Sequence, residues 1–382
     1  MATQNGRRAR KGGPRQRAKG QSPLYAAVDL GTNNCRLLIA RRHGRTFRVV
    51  DSYAQLARLG EGLNATGRLS DAAIERAMVA LGKIRDKLKA RGVPHVRCIA
   101  TEACRRAENG RAFIDRVKEE IGLSFKIIGP KEEARLALVA CHDLLDAAAP
   151  HVLVFDVGGG STELSLIDTK ALTADENDTS RMDVLLKSAP MVAWGSLPLG
   201  VVTLFEAFPG ATEAEAYAAM KAHAVEVFRG WKSYGLAAEA LADPAAHMVG
   251  TSGTVTCLAG VHLKLDKYRR DAVDGAWLSR AEATETVALL NSLGPDGRSK
   301  LPTIGPDRAH LMLSGCAILD AALDVFPLQK LRVADRGLRE GLLLSMMYGP
   351  RKNRRRSRKK KAGAKHDAAT IADLTPHGGN PS

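Results

Sequence analysis

The chain predicts an α/β protein built from two related lobes, and three observations lead there. A strand, Asp and turn occur twice. Ala26-Ala27-Val28-Asp29-Leu30-Gly31-Thr32-Asn33-Asn34 is echoed 127 positions on by Leu153-Val154-Phe155-Asp156-Val157-Gly158-Gly159-Gly160-Ser161-Thr162. Apolar residues then alternate along the chain between strand-like and helix-like spacing, the pattern of helix-covered sheets. Finally, 382 residues of which 45% are hydrophobic suffice for two domains of ordinary size with buried cores. The expected division is a tail over 1–23, a first domain over 24–149, a second over 150–349 and a tail over 350–382.

Each repeated segment reads as a strand, a tight turn and a returning strand. The small residues of the turns, Gly31, Thr32 and Asn33 in the first and Gly158, Gly159, Gly160, Ser161 and Thr162 in the second, let backbone N–H groups approach an anion. Asp29 and Asp156 stand at the mouths of these turns, where a carboxylate can hold a divalent cation directly or through water. One Asp-x-Gly turn alone would be an ordinary strand end. Two in equivalent places imply a cleft between lobes, gripped from both sides.

Between the hairpins, Ser70-Asp71 caps a helix whose apolar positions Ile74, Ala77, Met78, Leu81 and Ile84 have helical spacing, ending near Gly92-Val93-Pro94. A buried strand is expected over 96–100, a helix over 111–121 and a strand over 125–128. Gly129-Pro130 breaks the chain before a helix over 131–149. Residues 168–190 read as a polar, irregular surface excursion, and helices follow near 213–230, 254–261, 280–293 and 308–325.

The net charge of +16 is uneven. Residues 1–23 carry seven Arg or Lys and no acid, and residues 350–382 carry ten against Asp367 and Asp373, so the tails hold +7 and +8 and the body +1. Runs such as Arg354-Arg355-Arg356-Ser357-Arg358-Lys359-Lys360-Lys361 lack apolar residues that would offset ordering entropy, and disorder is expected there. Their charge suits a polyanion, whether RNA or polyphosphate, or no dedicated partner at all. With no apolar leader and no long apolar run, a signal peptide and a membrane span are not expected, and the expected location is the cytoplasm. Six cysteines without paired spacing read as buried, reduced thiols.

Further motifs narrow the reading. Ala100-Thr101-Glu102-Ala103-Cys104-Arg105-Arg106-Ala107-Glu108-Asn109, Lys131-Glu132-Glu133-Ala134-Arg135-Leu136 and Asp156-Val157-Gly158-Gly159-Gly160-Ser161-Thr162-Glu163-Leu164 follow in order. Gly250-Thr251-Ser252-Gly253-Thr254 and Gly337-Leu338-Arg339-Glu340-Gly341 come after them. Together with the duplicated hairpins they resemble the exopolyphosphatase and guanosine pentaphosphate phosphatase family. That family is a branch of the actin, sugar kinase and Hsp70 superfamily of duplicated ribonuclease-H-like domains. The resemblance runs from about Leu24 to Gly349.

It implies a hydrolase that releases terminal phosphate from inorganic polyphosphate and acts on guanosine pentaphosphate, assisted by Mg²⁺ or Mn²⁺, in a homodimer. Glu133 corresponds to the family's proposed catalytic glutamate and Arg105 to a phosphate-clamping arginine. On the residues alone, Glu133 in the first turn of a helix equally suits an acid that complements the helix dipole. Glu163, two residues beyond Ser161 on the same side of its strand, is expected to bind metal with Asp29 and Asp156. The Gly250–Thr254 turn faces adenosine in ATP-using relatives, and its role here stays open. Arg308, Asp335, Arg339 and Glu340 read as salt-bridged structural residues, Arg106 as a surface residue and Glu132 as the solvent-facing acid of its pair.

The chain departs from the family pattern at Thr32-Asn33-Asn34, at Gly129-Pro130-Lys131 and at His310. Long members carry a C-terminal helical domain with His-Asp motifs, and neither His142-Asp143 nor His366-Asp367 is expected to stand in for it. Two other classes compete: an ATP-dependent kinase or ATPase of the same superfamily, and a non-catalytic polyanion-binding regulator.

Overall fold

The computed structural model describes residues 22–172, 181–210 and 212–349, so both basic runs fall outside the described residues. Two mixed sheets form the frame. The first contains β1 (Leu24–Leu30), β2 (Asn34–His43), β3 (Thr46–Leu56), β4 (His95–Ala100) and β5 (Phe125–Ile127) in the order β3-β2-β1-β4-β5. The second contains β6 (His151–Val157), β7 (Thr162–Asp168), β8 (Ala193–Leu197), β9 (His247–Thr251), β10 (Trp277–Ser279) and β11 (Lys330–Ala334) in the order β10-β11-β9-β6-β7-β8. In each, the first three strands are antiparallel neighbours, and two more, β4 and β5 in the first sheet and β9 and β11 in the second, join in parallel on the other side of the first. The duplicated motif therefore belongs to a duplicated topology, to which β10 adds one edge strand.

Strand alternation sets which residues face the cleft. In β1, Ala26, Val28 and Leu30 enter an outer core built with the Asp71–Arg91 and Gly110–Glu120 helices, while Ala27 enters the inner core. In β6, Leu153, Phe155 and Val157 pack outward, and Val152 and Val154 pack inward. By the same parity Asp29 and Asp156 lie on the inner faces. The fold is a duplicated ribonuclease-H-like pair of α/β layers with a cleft between them.

Two helices fill the space between the sheets. The Pro130–Ala140 helix contributes Leu136 to the core against the first sheet and Leu138 and Val139 to the core against the second. The Leu338–Tyr348 helix contributes Leu342, Leu343 and Met347 to the former and Leu344 to the latter. The last helix of the chain thus returns to the first sheet. All of this belongs to one compact unit that ends at Tyr348.

Three expected segments differ. The helix expected over 131–149 stops at Ala140, because Cys141, Leu144, Leu145 and Ala149 turn inward to pack on the second sheet. The expected surface excursion over 168–190 contains a short helix, Arg181–Lys187, whose Met182, Leu185 and Leu186 are buried; residues 173–180 lie outside the described residues. The segment over 308–325 forms two helices, Pro306–Ala309 and Leu311–Val325. All six cysteines are buried and free.

Candidate active site

A cleft of about 630 Å³ opens between the sheets, lined by both glycine turns, Asp29, Arg36, Glu102, Glu133, Asp156, Glu163, Arg308 and Arg339. The turns that grip it owe their shape to backbone pairing. Gly31 N–H donates to Asn34 O at 3.0 Å and Gly158 N–H to Ser161 O at 2.8 Å, closing the two hairpins in the same way. The turns also touch. A Cβ placed on Gly159 would fall 2.9 Å from Thr32 Cβ, and one on Gly160 would fall 2.0 Å from Glu102 Oε2. Where the hairpins meet, the Thr32 and Glu102 side chains leave no room for one at residue 159 or 160.

Register pairs the acids. Asp29 stands opposite Arg36 on β2, whereas Asp156 stands opposite Glu163 on β7. The same seven-residue step from each Asp delivers a base in one lobe and an acid in the other. Two carboxylates directly across a ladder repel. Burial, then Glu163 and Asp29, push Asp156 up to about 8. Asp29 is raised too, by burial against the opposing pull of Arg36 and Arg339, and its Oδ1 has no hydrogen-bond partner. Glu163 is buried and accepts from Ser161 Oγ at 2.8 Å and Ser196 Oγ at 2.7 Å; burial raises it while both hydroxyls hold it back.

Glu133 lies in the first turn of the Pro130–Ala140 helix, 6% exposed, with its N–H bonded to Gly129 O. Its Oε2 accepts from Arg105 Nη1 at 2.8 Å, and the same nitrogen donates to Ile128 O at 2.9 Å. Burial, then Glu163, hold the Glu133 carboxyl well above the usual carboxylate range, and Arg105 opposes them. A buried, elevated carboxylate at a cleft wall is the form a proton acceptor takes.

Most of the expected residues converge here. Thr162 does not. Parity turns it to the outer face with Leu164 and Leu166, where its fully buried hydroxyl donates to Leu199 O. Arg105 stands behind Glu133 and is not part of the cleft lining, so its partner is the glutamate. Arg308, Asp335, Arg339 and Glu340, expected to be salt-bridged structural residues, all line the cleft, and three of them are also paired: Asp335 with Arg270 at 3.4 Å and Arg339 with Glu340 at 3.8 Å. Glu340 also accepts from Gly337 N–H at 2.9 Å, so it shapes the turn before its helix as well. Arg106 is exposed and Glu132 pairs with Arg135 at 2.7 Å, half exposed.

Two residues escaped the sequence reading. Arg36 was signalled by the step that singled out Glu163, and burial with the nearby Arg339 pushes its guanidinium down. Glu102 had no signal beyond its place after Thr101. Ser252 is a third feature of this wall: it takes φ 132° at the start of the Gly253–His262 helix, with Oγ buried and unpartnered.

Among the described residues, no three His, Cys, Asp or Glu side chains lie close enough to hold a metal by themselves. A divalent cation nonetheless fits the donor set. Asp29 has an orphaned buried oxygen, and Asp156 faces a second carboxylate, Glu163, across the ladder, so added positive charge would relieve both.

The model of the Ppx/GppA phosphatase family matches residues 38–349. A guanosine-5'-triphosphate,3'-diphosphate pyrophosphatase of Aeromonas salmonicida is 29% identical over 333 residues, covering 85% of this chain and 60% of that protein. One of Aeromonas hydrophila is 28% identical over 328 residues, with the same coverage. The chain therefore spans about 60% of the length of these curated relatives. Among solved structures, an Aquifex aeolicus member of the Ppx/GppA family superposes with a TM-score of 0.64 at 29% identity, over 85% of this chain and 97% of that one. An exopolyphosphatase from Cytophaga hutchinsonii gives 0.72 at 21% identity over 85% and 97%, a likeness of fold alone. No helix of the described residues is long and apolar enough to cross a membrane. With the family model matching residues 38–349, most of its length, the chain belongs to the Ppx/GppA phosphatase family.

Proposed function

We propose that this chain hydrolyses phosphoanhydrides, releasing orthophosphate from the end of inorganic polyphosphate and converting guanosine pentaphosphate to the tetraphosphate. The observation that carries the reading is the buried Glu133 carboxylate, held by Arg105 on the wall of a cleft closed by two glycine turns. Glu133 accepts a proton from a water as its oxygen bonds to the terminal phosphorus, and the bridging P–O bond breaks to leave the chain one phosphate shorter. With the Gly31 and Gly158 N–H groups closing the hairpins, the N–H groups of Thr32, Asn33 and Gly159–Ser161 are the ones presented to the phosphate oxygens, and Arg36, Arg308 and Arg339 supply the cationic wall. Asp29, Asp156 and Glu163 would hold Mg²⁺ or Mn²⁺ with help from water and substrate oxygens, and the ion would neutralise phosphate charge.

The test measures phosphate release from short and long polyphosphate, guanosine pentaphosphate and ATP, with a divalent titration and with excess chelator. Release from the first three that needs the divalent ion supports the reading. Release confined to ATP, or full activity in chelator, overturns it.

A further inference from the structure

We propose that Glu102 is a positioning residue that latches the two lobes closed, holding the glycine turns at the separation at which both can grip one phosphate. This rests on reading the cleft as the hydrolytic site.

Glu102 opens the short Glu102–Arg106 helix of the first lobe and is only 6% exposed. Its Oε1 accepts from Arg106 Nη1 at 2.9 Å, and its Oε2 lies 3.4 Å from Thr32 Oγ1. Both partners belong to its own lobe. Across the seam the same Oε2 abuts Gly160 so closely that a Cβ there would sit 2.0 Å from it and 3.0 Å from Thr32 Oγ1. The carboxylate is thus wedged between the first turn and the backbone of the second. On its far side the second turn is backed by Gly200, where a Cβ would fall 2.3 Å from the carbonyl carbon of Gly159. Only the absence of side chains at residues 159, 160 and 200 permits this packing.

The contact continues outward as a chain of polar links. Arg106 Nη2 donates to Asn64 Oδ1 at 2.9 Å, and Asn64 Nδ2 lies 3.5 Å from Thr203 O of the second lobe. Beside it Gly62 N–H donates to Glu206 Oε1 at 3.2 Å. A line of polar contacts thus runs from the glycine turns through Glu102, Arg106 and Asn64 to Thr203 of the second lobe. Glu102 therefore acts on the second lobe in two ways, through Arg106 and Asn64 to Thr203 O and through the close approach of its Oε2 to Gly160.

If Glu102 holds closure, its loss leaves substrate binding to bring the lobes together. Apparent affinity then falls with the closed fraction, while chemistry in the closed complex is spared. Glu102→Ala should raise KM for short polyphosphate about tenfold with kcat within about twofold. Small-angle scattering of the free variant should show a more open molecule than the wild type. Gly160→Ala should raise KM on its own, and less so when combined with Glu102→Ala, because removing the carboxylate makes room for the new methyl. Should Glu102→Ala fail to fold, Glu102→Asp, one methylene shorter, serves in the same pairing.

An unchanged or lowered KM overturns the latch, as does a drop in kcat and melting temperature at constant KM, or additive effects of the two substitutions. Wild-type protein that releases phosphate from none of the probes sinks the hydrolase reading instead, and the scattering comparison still decides the latch.

Discussion

Glu133, the proposed proton acceptor, lies between two opposed charges, those of Glu163 and Arg105. Replacing it by Gln preserves the hydrogen bond to Arg105 in outline but removes the proton acceptor. Turnover should fall by roughly 10²–10⁴ while substrate still binds and the fold survives. Single-turnover phosphate release with a separate binding measurement checks this; near-normal turnover would remove Glu133 from the mechanism. The pH profile gives a second handle. A base must be ionised, so kcat/KM should fall as pH drops through the raised pKa of Glu133. Glu163 raises that value and Arg105 lowers it. Glu163→Gln should therefore move the acid limb to lower pH, and Arg105→Gln should move it to higher pH. Shifts in the same direction would mean the limb belongs to another group.

The element that delivers Glu133 is fixed by a helix pair. The Pro130–Ala140 and Leu338–Tyr348 helices meet at Gly341, where a Cβ would fall 2.0 Å from Leu136 O, a backbone atom that cannot rotate away. Gly341→Ala should cost about 1–3 kcal/mol by overpacking and, because Leu136 is one turn from Glu133, lower turnover as well. A methyl placed on Gly82, in the Asp71–Arg91 helix, would meet nothing within 4 Å, so Gly82→Ala should stabilise by up to about 1 kcal/mol. Thermal melting of the two variants side by side checks the contrast; equal melting temperatures would show that the helix pair can yield at residue 341.

For the whole molecule, +15 of the +16 charge lies in residues 1–23 and 350–382. If these capture long polyphosphate, removing 1–22 and 351–382 should weaken long-chain binding and flatten its dependence on salt, with short-chain turnover nearly unchanged. A salt titration of affinity for long and short chains, with and without the tails, is the measurement. Equal slopes on long chains for both forms would give the tails another role.

A repeated strand, Asp and glycine turn was enough to place Asp29 and Asp156 at the mouths of equivalent turns on one cleft, because a strand-turn motif is local and needs no partner to fix it. The acidic motif behind Gly129-Pro130 likewise marked Glu133 at a helix start, since Pro and the helix dipole act within one turn. Thr162 shows the limit of that reasoning: it belongs to the turn in sequence, yet one step along the strand sends it to the outer core. What only the tertiary structure decided are meetings between segments far apart in the chain. These are Arg105 against Glu133, Glu102 against Gly160, and the last helix against the first sheet. Such contacts arise from close packing of two lobes, whose complementarity depends on where backbones come within a methyl group of each other, and no local periodicity encodes that distance.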